Sequence, residues 1–364
     1  MRARAAESGP GGSGAATLAV VLLTLGLPWA TSTVWASPEQ PSAATVPAAT
    51  MPAVAAATGE IAEPQDEAAE TVYVTPTMPD RIGRIMAPVF VNGQGPYPFV
   101  IDTGASRSVL APRLAERLGL VPDPSRTLEL RGMTGSATVP TILVERLEAG
   151  DLKLANQRLP VIAPSVFADA DGILGIDGLK NLCLRASFTE SEISITRKGC
   201  PMSVRDWPRA SATLRFGGLV LVKARLGNKR VQAIIDTGAE RSLGNNALLQ
   251  ALGLETTSDD PREATMVLGA TEHRVPGRIV QVSKLNLGEF EVTDLGVTFG
   301  DFDVFRLWGL EQHPAIVLGM DVIGQAEGIA IDYRRAEIRV LPRGDGSFQR
   351  IDRRAAPGRL PRSQ

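Results

Sequence analysis

Histidine and cysteine are the scarcest reactive residues in this 364-residue chain, with two of each. Both histidines, His273 and His313, fall in the second half. A Ser-His-Asp or Cys-His centre confined to the first half is therefore excluded, and a histidine-rich zinc site has too few ligands. Aromatic residues make up 5% of the chain, and the formal net charge is −2. A nucleic-acid partner would require a basic footprint that this balance does not supply. The longest apolar run, about residues 15–27, is shorter than the ~20 residues of a membrane-spanning helix. Carboxylates are left as the natural acid–base groups, with no cofactor and no metal expected.

The first residues read as an export address. Arg2 and Arg4 precede that apolar run, and Val34-Trp35-Ala36 supplies small residues before a break. This is the pattern of a secretory signal peptide, residues 1–36, with cleavage expected after Ala36. An uncleaved anchor is the alternative, and a transient membrane contact through this segment is the membrane interaction it implies. The reading places the mature protein outside the cytoplasm, most simply in a bacterial periplasm. Residues 37–70 are rich in Ala, Pro, Thr and Glu and cannot bury enough surface to offset chain entropy, so a disordered linker is expected. Residues 346–364, with Arg350, Arg353, Arg354, Arg359 and Arg362 among Pro and Gly, read as a solvated basic tail.

Between these ends the chain repeats itself. Phe99-Val100-Ile101-Asp102-Thr103-Gly104-Ala105-Ser106 drives an apolar strand straight into an aspartate, which is costly to bury without a partner. Ala233-Ile234-Ile235-Asp236-Thr237-Gly238-Ala239-Glu240 does the same 134 positions later. After each aspartate a short helix is expected. Pro112 suits its first turn and Gly119 its left-handed stop in one half; Asn245 suits its N-cap and Gly253 its stop in the other. Arg131-Gly132-Met133-Thr134-Gly135 and Leu268-Gly269-Ala270-Thr271-Glu272 sit between strand-like runs as hairpin tips. Alternating segments around Gly150 and Gly288 follow, then Ile173-Leu174-Gly175-Ile176-Asp177 and Val317-Leu318-Gly319-Met320-Asp321. A closing hairpin ends each half, over 187–195 and 332–340. Many short strands with turn signals predict an all-β chain of two homologous lobes, 71–205 and 206–345.

The order of apolar strand, Asp-Thr-Gly-Ala and a later apolar-apolar-Gly resembles the aspartic peptidases of the pepsin and retropepsin group. Both halves carry it. The Ala after Asp-Thr-Gly and the Leu-Gly-Ile-Asp and Leu-Gly-Met-Asp endings are similar to retropepsins, and the two lobes in one chain resemble pepsins. The resemblance implies closed β-barrel lobes with the active site at their interface, and a monomer acting on a peptide or protein. It implies that Asp102 and Asp236 are catalytic and that Thr103 and Thr237 hydrogen-bond across the junction. Two carboxyls sharing a site cannot both ionise comfortably, so one stays protonated. Gly104 and Gly238 let backbone N–H groups approach the carboxylates. Gly104, Gly238, Ser106, Glu240, Gly132, Met133, Thr134 and Gly135 form the expected substrate-binding set.

The sequence also departs from that pattern. Ala105 and Ala239 supply no hydroxyl to an aspartate, so activity less acid-shifted than a gastric-type enzyme is expected. Glu240 stands opposite Ser106, where it would contact substrate backbone, pair with Arg241 or Arg306, or remain a solvated turn charge. The expected flap, 127–139, holds no tyrosine. Residues 301–313, with Phe302, Phe305, Leu307 and Trp308, are an insertion in the second half that walls a pocket or caps the core. Cys183 and Cys200 flank the closing hairpin of the first half and are expected to form a disulfide. A secreted aspartic endopeptidase is the first reading. A non-catalytic peptide-binding pseudoprotease and a self-processing protein are the alternatives.

Overall fold

The computed structural model describes residues 80, 83–149, 152–197, 199–254 and 263–343, with the backbone of 17–18, 71–76 and 78–79. The linker 37–70 and the tail 346–364 lie outside the described residues. So does the expected signal segment apart from Thr17–Leu18, which pairs in parallel with Val267–Leu268. Among the described residues no helix is long and apolar enough to cross a membrane.

The first half contains β1 (Thr71–Pro76), β2 (Ile85–Val91), β3 (Gln94–Ile101), β4 (Val109–Leu110), α1 (Pro112–Arg117), β5 (Asp123–Gly132), β6 (Gly135–Ala149), β7 (Leu152–Pro160), β8 (Gly172–Leu174), β9 (Cys183–Ser187) and β10 (Glu192–Thr196). The second repeats the order with β11 (Arg209–Arg215), β12 (Leu219–Leu226), β13 (Lys229–Ile235), β14 (Leu243–Gly244), α2 (Asn246–Ala251), β15 (Ala264–Leu268), β16 (Arg274–Leu287), β17 (Phe290–Phe299), α3 (Asp303–Leu307), β18 (Ala315–Leu318), α4 (Met320–Ile323), β19 (Gly328–Asp332) and β20 (Glu337–Leu341).

Alternation drives the strands. In β2, Ile85, Ala87, Val89 and Val91 point inward between half-buried and exposed neighbours, and in β12 Val220, Val222, Ala224 and Leu226 do the same. The helices start and stop as their sequences dictate. Pro112 opens α1, the Asn245 side chain accepts from Leu248 N at 2.9 Å to cap α2, and Gly119 and Gly253 follow with φ of 64° and 72°.

Each half curls into a barrel. In lobe two, β14, β18, β13, β12, β16 and β17 pair in sequence and β17 returns to β14. In lobe one, β4, β8, β3, β2, β6 and β7 follow the same path, closed by a single bridge between Leu110 and Val161. The closing hairpins are β9–β10 and β19–β20, a few residues longer than expected, and they meet each other. Strand β9 runs antiparallel to β19, with Cys183 opposite Asp332 and Ser187 opposite Gly328. Phe188 N donates to Glu327 O at 2.8 Å and Tyr333 N to Leu182 O at 3.0 Å at its two ends. Strands β1, β10, β9, β19, β20 and β11 thus form one sheet shared by both lobes. The Cys183–Cys200 disulfide is formed beside it.

Candidate active site at the seam between the lobes

Parallel pairing of β3 with β8 and of β13 with β18 delivers the two aspartates. Phe99, Val100 and Ile101 are fully buried, as are Ala233, Ile234 and Ile235. Each apolar strand is therefore fixed on both sides, and the residue after it has little freedom. Asp102 N continues its ladder to Leu174 O at 3.0 Å, and Asp236 N to Leu318 O at 3.0 Å.

The chain then turns, and the two turns interlock. Thr103 Oγ1 donates to Ile235 O at 2.9 Å and accepts from Thr237 N at 3.1 Å. Thr237 Oγ1 donates to Ile101 O at 2.7 Å and accepts from Thr103 N at 3.1 Å. Both threonines are fully buried, so these bonds are shielded from competing water. The cross-junction role expected of Thr103 and Thr237 is what the geometry has.

The glycines set how closely the carboxyls approach. Gly104 N donates to Asp102 Oδ1 at 2.8 Å; Gly238 N and Ala239 N donate to Asp236 Oδ1 at 2.9 and 3.0 Å. A Cβ on Gly104 would fall 2.3 Å from Asp236 Cγ, and one on Gly238 would fall 2.2 Å from Asp102 Cγ. Each carboxyl lies against the other lobe's glycine, and any side chain there would displace it. Asp102 and Asp236 are fully buried, and neither Oδ2 has a protein partner among the described residues. Burial pushes Asp102 up to about 7, while the N–H of Gly104 and the Arg84 cation pull it down. Asp236 is held well above the carboxylate range by burial and by the negative charge of Asp102. The pair is thus placed to hold one proton between two carboxyls at neutral pH.

A second pair of carboxyls holds the turns, and the sequence reading passed over it. Ser108 N and Oγ both donate to Asp177 Oδ1, at 2.9 and 2.7 Å, and Gly175 N donates to Ser108 Oγ at 3.2 Å. Ser242 N donates to Asp321 Oδ2 at 2.9 Å and Ser242 Oγ to Asp321 Oδ1 at 2.7 Å, with Gly319 N on Ser242 Oγ at 3.1 Å. Burial raises Asp177 and pushes Asp321 up to about 6. The signal was present: a serine stands six positions after each aspartate, and each Leu-Gly ending closes on Asp.

The hairpin tips come together. Thr134 Oγ1, between β5 and β6, lies 3.3 Å from Thr271 Oγ1, between β15 and β16. Thr271 Oγ1 also lies 3.1 Å from His273 Nδ1. A Cβ on Gly135 would fall 3.0 Å from that nitrogen and 3.5 Å from Asp303 Oδ2 on α3. Met133 and Thr134 are buried, as are Ala270 and Thr271, and Ala270 shares an apolar cluster with Ala105 beside Asp102. Gly132 and Gly135 pair across the tight turn. The expected substrate-binding set named the first tip alone; in the structure Gly269, Thr271 and His273 of the second tip lie against it.

Elsewhere the expectations sort cleanly. Glu240 pairs with Arg241 at 3.8 Å, whereas Arg306 engages Asp301 and Asp303 within its own segment. Ser106 Oγ is buried without a protein partner among the described residues. Phe302, Phe305 and Trp308 of the insertion are buried, and Phe216 stacks on Trp308 at 5.3 Å, so this segment caps the core of lobe two. Among the described residues no group of three or more His, Cys, Asp and Glu side chains is arranged to hold a metal ion.

A sequence profile described as aspartyl protease matches residues 87–177 and, separately, 222–322. The two matches span most of the barrel strands and both Asp-Thr-Gly turns. A search of curated proteins finds no match to the chain.

Proposed function

Because the chain belongs to the aspartyl protease family, we propose that it hydrolyses internal peptide bonds with water activated between Asp102 and Asp236. The observation that carries this reading is the pair of buried carboxyls, each packed against the other lobe's glycine and left with one unpartnered oxygen. The ionised carboxyl takes a proton from water as the water oxygen attacks the scissile carbonyl carbon. The protonated carboxyl gives its proton to the carbonyl oxygen. Breakdown of the resulting gem-diol moves a proton onto the leaving amine, and the pair returns to its starting charge.

An extended peptide would lie between the lobes beneath the two hairpin tips, adding its backbone to their strands. Gly104, Gly238, Ser106 and Glu240 would border it from below, and the tips at 132–135 and 269–273 from above. Both lobes are present in one chain, so the site needs no second copy. The Cys183–Cys200 disulfide supports a secreted, oxidising location such as a periplasm. Amino-terminal sequencing of the exported protein tests the cut after Ala36.

The decisive experiment is incubation of wild type, Asp102→Asn and Asp236→Asn with a peptide library, with and without a statine-type inhibitor. Cleavage by wild type alone, blocked by the inhibitor, is the expected result. Peptide binding without cleavage by all three proteins would overturn it.

A further inference from the structure

The pseudo-twofold symmetry of the seam breaks at one buried charge. The β2–β3 ladder pairs Met86 with Val100 and Ala87 with Phe99. Continued by two residues, that register sets Arg84 opposite Asp102. The β12–β13 ladder pairs Leu221 with Ile234 and Val222 with Ala233, which by the same step sets Leu219 opposite Asp236. Directly opposed residues of an antiparallel pair share a face. By that register one aspartate is aligned with an arginine, and the other with a leucine.

Arg84 has no solvent exposure. Its Nε donates to Asp80 Oδ2 at 2.7 Å, while its two terminal nitrogens donate to Val166 O and Phe167 O at 3.0 Å each. Val166 and Phe167 share the apolar cluster that contains Val100 and Ala105, the residues on either side of the Asp102 turn. The guanidinium thus lies against the wall of that cluster, with Asp80 Oδ2 2.7 Å from both its Nε and one terminal nitrogen. A buried ion pair is weak as a source of stability, so a cation maintained here for lobe one alone invites a role in charge placement.

We propose that Arg84 polarises the pair, keeping the negative charge on Asp102 and the shared proton on Asp236. Asp102 is then the group that takes the proton from water, Asp236 the acid that protonates the carbonyl oxygen, and Arg84 a positioning residue acting through Asp102. This assignment rests on the peptidase reading for its chemistry, but the asymmetry itself is a property of the resting protein. Arg84 pulls Asp102 downward, whereas the charge that bears most on Asp236 is that of Asp102, which agrees with it. The other groups bearing on the pair are few. Asp80 balances Arg84, and Tyr333 is a buried phenol held above its usual range by burial and by the Asp102 charge. Tyr333 stays neutral, so it does not compete for the assignment.

The test reads each carboxyl alone by carbon-13 NMR of labelled aspartate, in Asp236→Asn and in Asp102→Asn, with Arg84 intact. Asp102 in the first variant is expected to titrate about one pH unit below Asp236 in the second. Adding Asp80→Asn with Arg84→Met, which leaves no stranded carboxylate, should remove that gap, and Arg84→Lys should keep it. In the active enzyme the same double change should move the acid limb of the kcat/KM profile upward by a similar amount. Equal midpoints in the two single variants, or a gap that survives loss of Arg84, would overturn the assignment. Because the titration needs no turnover, an inactive protein would sink the peptidase reading while leaving this one decided.

Discussion

Ser108 meets Asp177 at 2.7 Å in lobe one, and Ser242 meets Asp321 at 2.7 Å in lobe two. The crossed threonines match as closely, and so do the strand ends that deliver the aspartates. Set against these are three places where the lobes part. Arg84 stands where lobe two has Leu219, Glu240 stands where lobe one has Ser106, and lobe two alone carries the α3 insertion. The features held in common fix backbone to backbone; the features that differ are charges and surfaces. The scaffold of the seam is thus common to both lobes, whereas the buried cation is confined to lobe one.

The largest effect should be blind to the lobes. Asp102→Asn and Asp236→Asn are each expected to lower turnover by about 10³-fold or more, since each removes one of the two proton-transfer partners. Neither should lower the melting temperature, because each removes a carboxyl whose charged form burial disfavours. A variant that retained a tenth of wild-type turnover would mean that one carboxyl suffices, and the equivalence of the halves would fail.

Next come the crossed threonines. Thr103→Val strands the Ile235 carbonyl and the Thr237 N–H, and Thr237→Val strands the Ile101 carbonyl and the Thr103 N–H. With two buried polar groups left unpaired in either case, a loss of about 3 kcal/mol in unfolding free energy is expected from each. Urea denaturation measures both. Values differing by more than about 1 kcal/mol would show that one lobe carries the junction.

The supporting carboxyls give a pH test with a definite sign. Asp321 titrates at about 6 in the folded protein against an ordinary 3.8, so the folded state binds that proton more tightly than the unfolded chain. Its contribution is therefore full at about pH 4 and is lost as pH rises through 6, at a cost of about 3 kcal/mol when complete. Asp177, Asp102 and Asp236 are displaced in the same direction. Thermal stability should accordingly be greatest near pH 4 and decline toward pH 7. Asp123, Glu190 and Glu291 are shifted downward but lie at the surface, and their opposing influence is confined to lower pH. Asp321→Asn should flatten the decline more than Asp177→Asn does; stability that instead rose toward pH 7 would contradict the burial of these groups.

How far the sequence foretold this architecture depends on how local each feature is. Asp102, Asp236 and the flanking strands, helices and hairpins follow from short patterns that recur twice, so two all-β lobes with paired aspartates were readable, while the closed barrels came with the resemblance alone. Arg84 was not. In Pro79-Asp80-Arg81-Ile82-Gly83-Arg84 the charges look like an ordinary solvated loop, and only closure over Val166 and Phe167 buries the last of them. The meeting of Thr134 with Thr271, 137 positions apart, was equally hidden. The repeat aligned the two tips, yet nothing in a polar hydroxyl says that its counterpart lies opposite it in space.

That contact yields the smallest and most discriminating comparison. Thr134 Oγ1 has one tip-to-tip partner, whereas Thr271 Oγ1 has both Thr134 and His273 Nδ1 within reach. Thr134→Val removes a neutral hydrogen bond worth about 1 kcal/mol, equivalent to about a fivefold gain in the open population of the tips. Thr271→Val removes that bond and the contact to the exposed His273 as well, so its effect should be somewhat larger. Hydrogen exchange at the amides of 132–135 and 269–273 reads both populations without requiring substrate. Faster exchange in both variants, greater for Thr271→Val, is expected at both tips together, because each holds the other down. If exchange quickened only in the hairpin that carries the mutation, the tips would be opening independently, and the closed arrangement would owe its stability to the burial of Met133 and Ala270 instead.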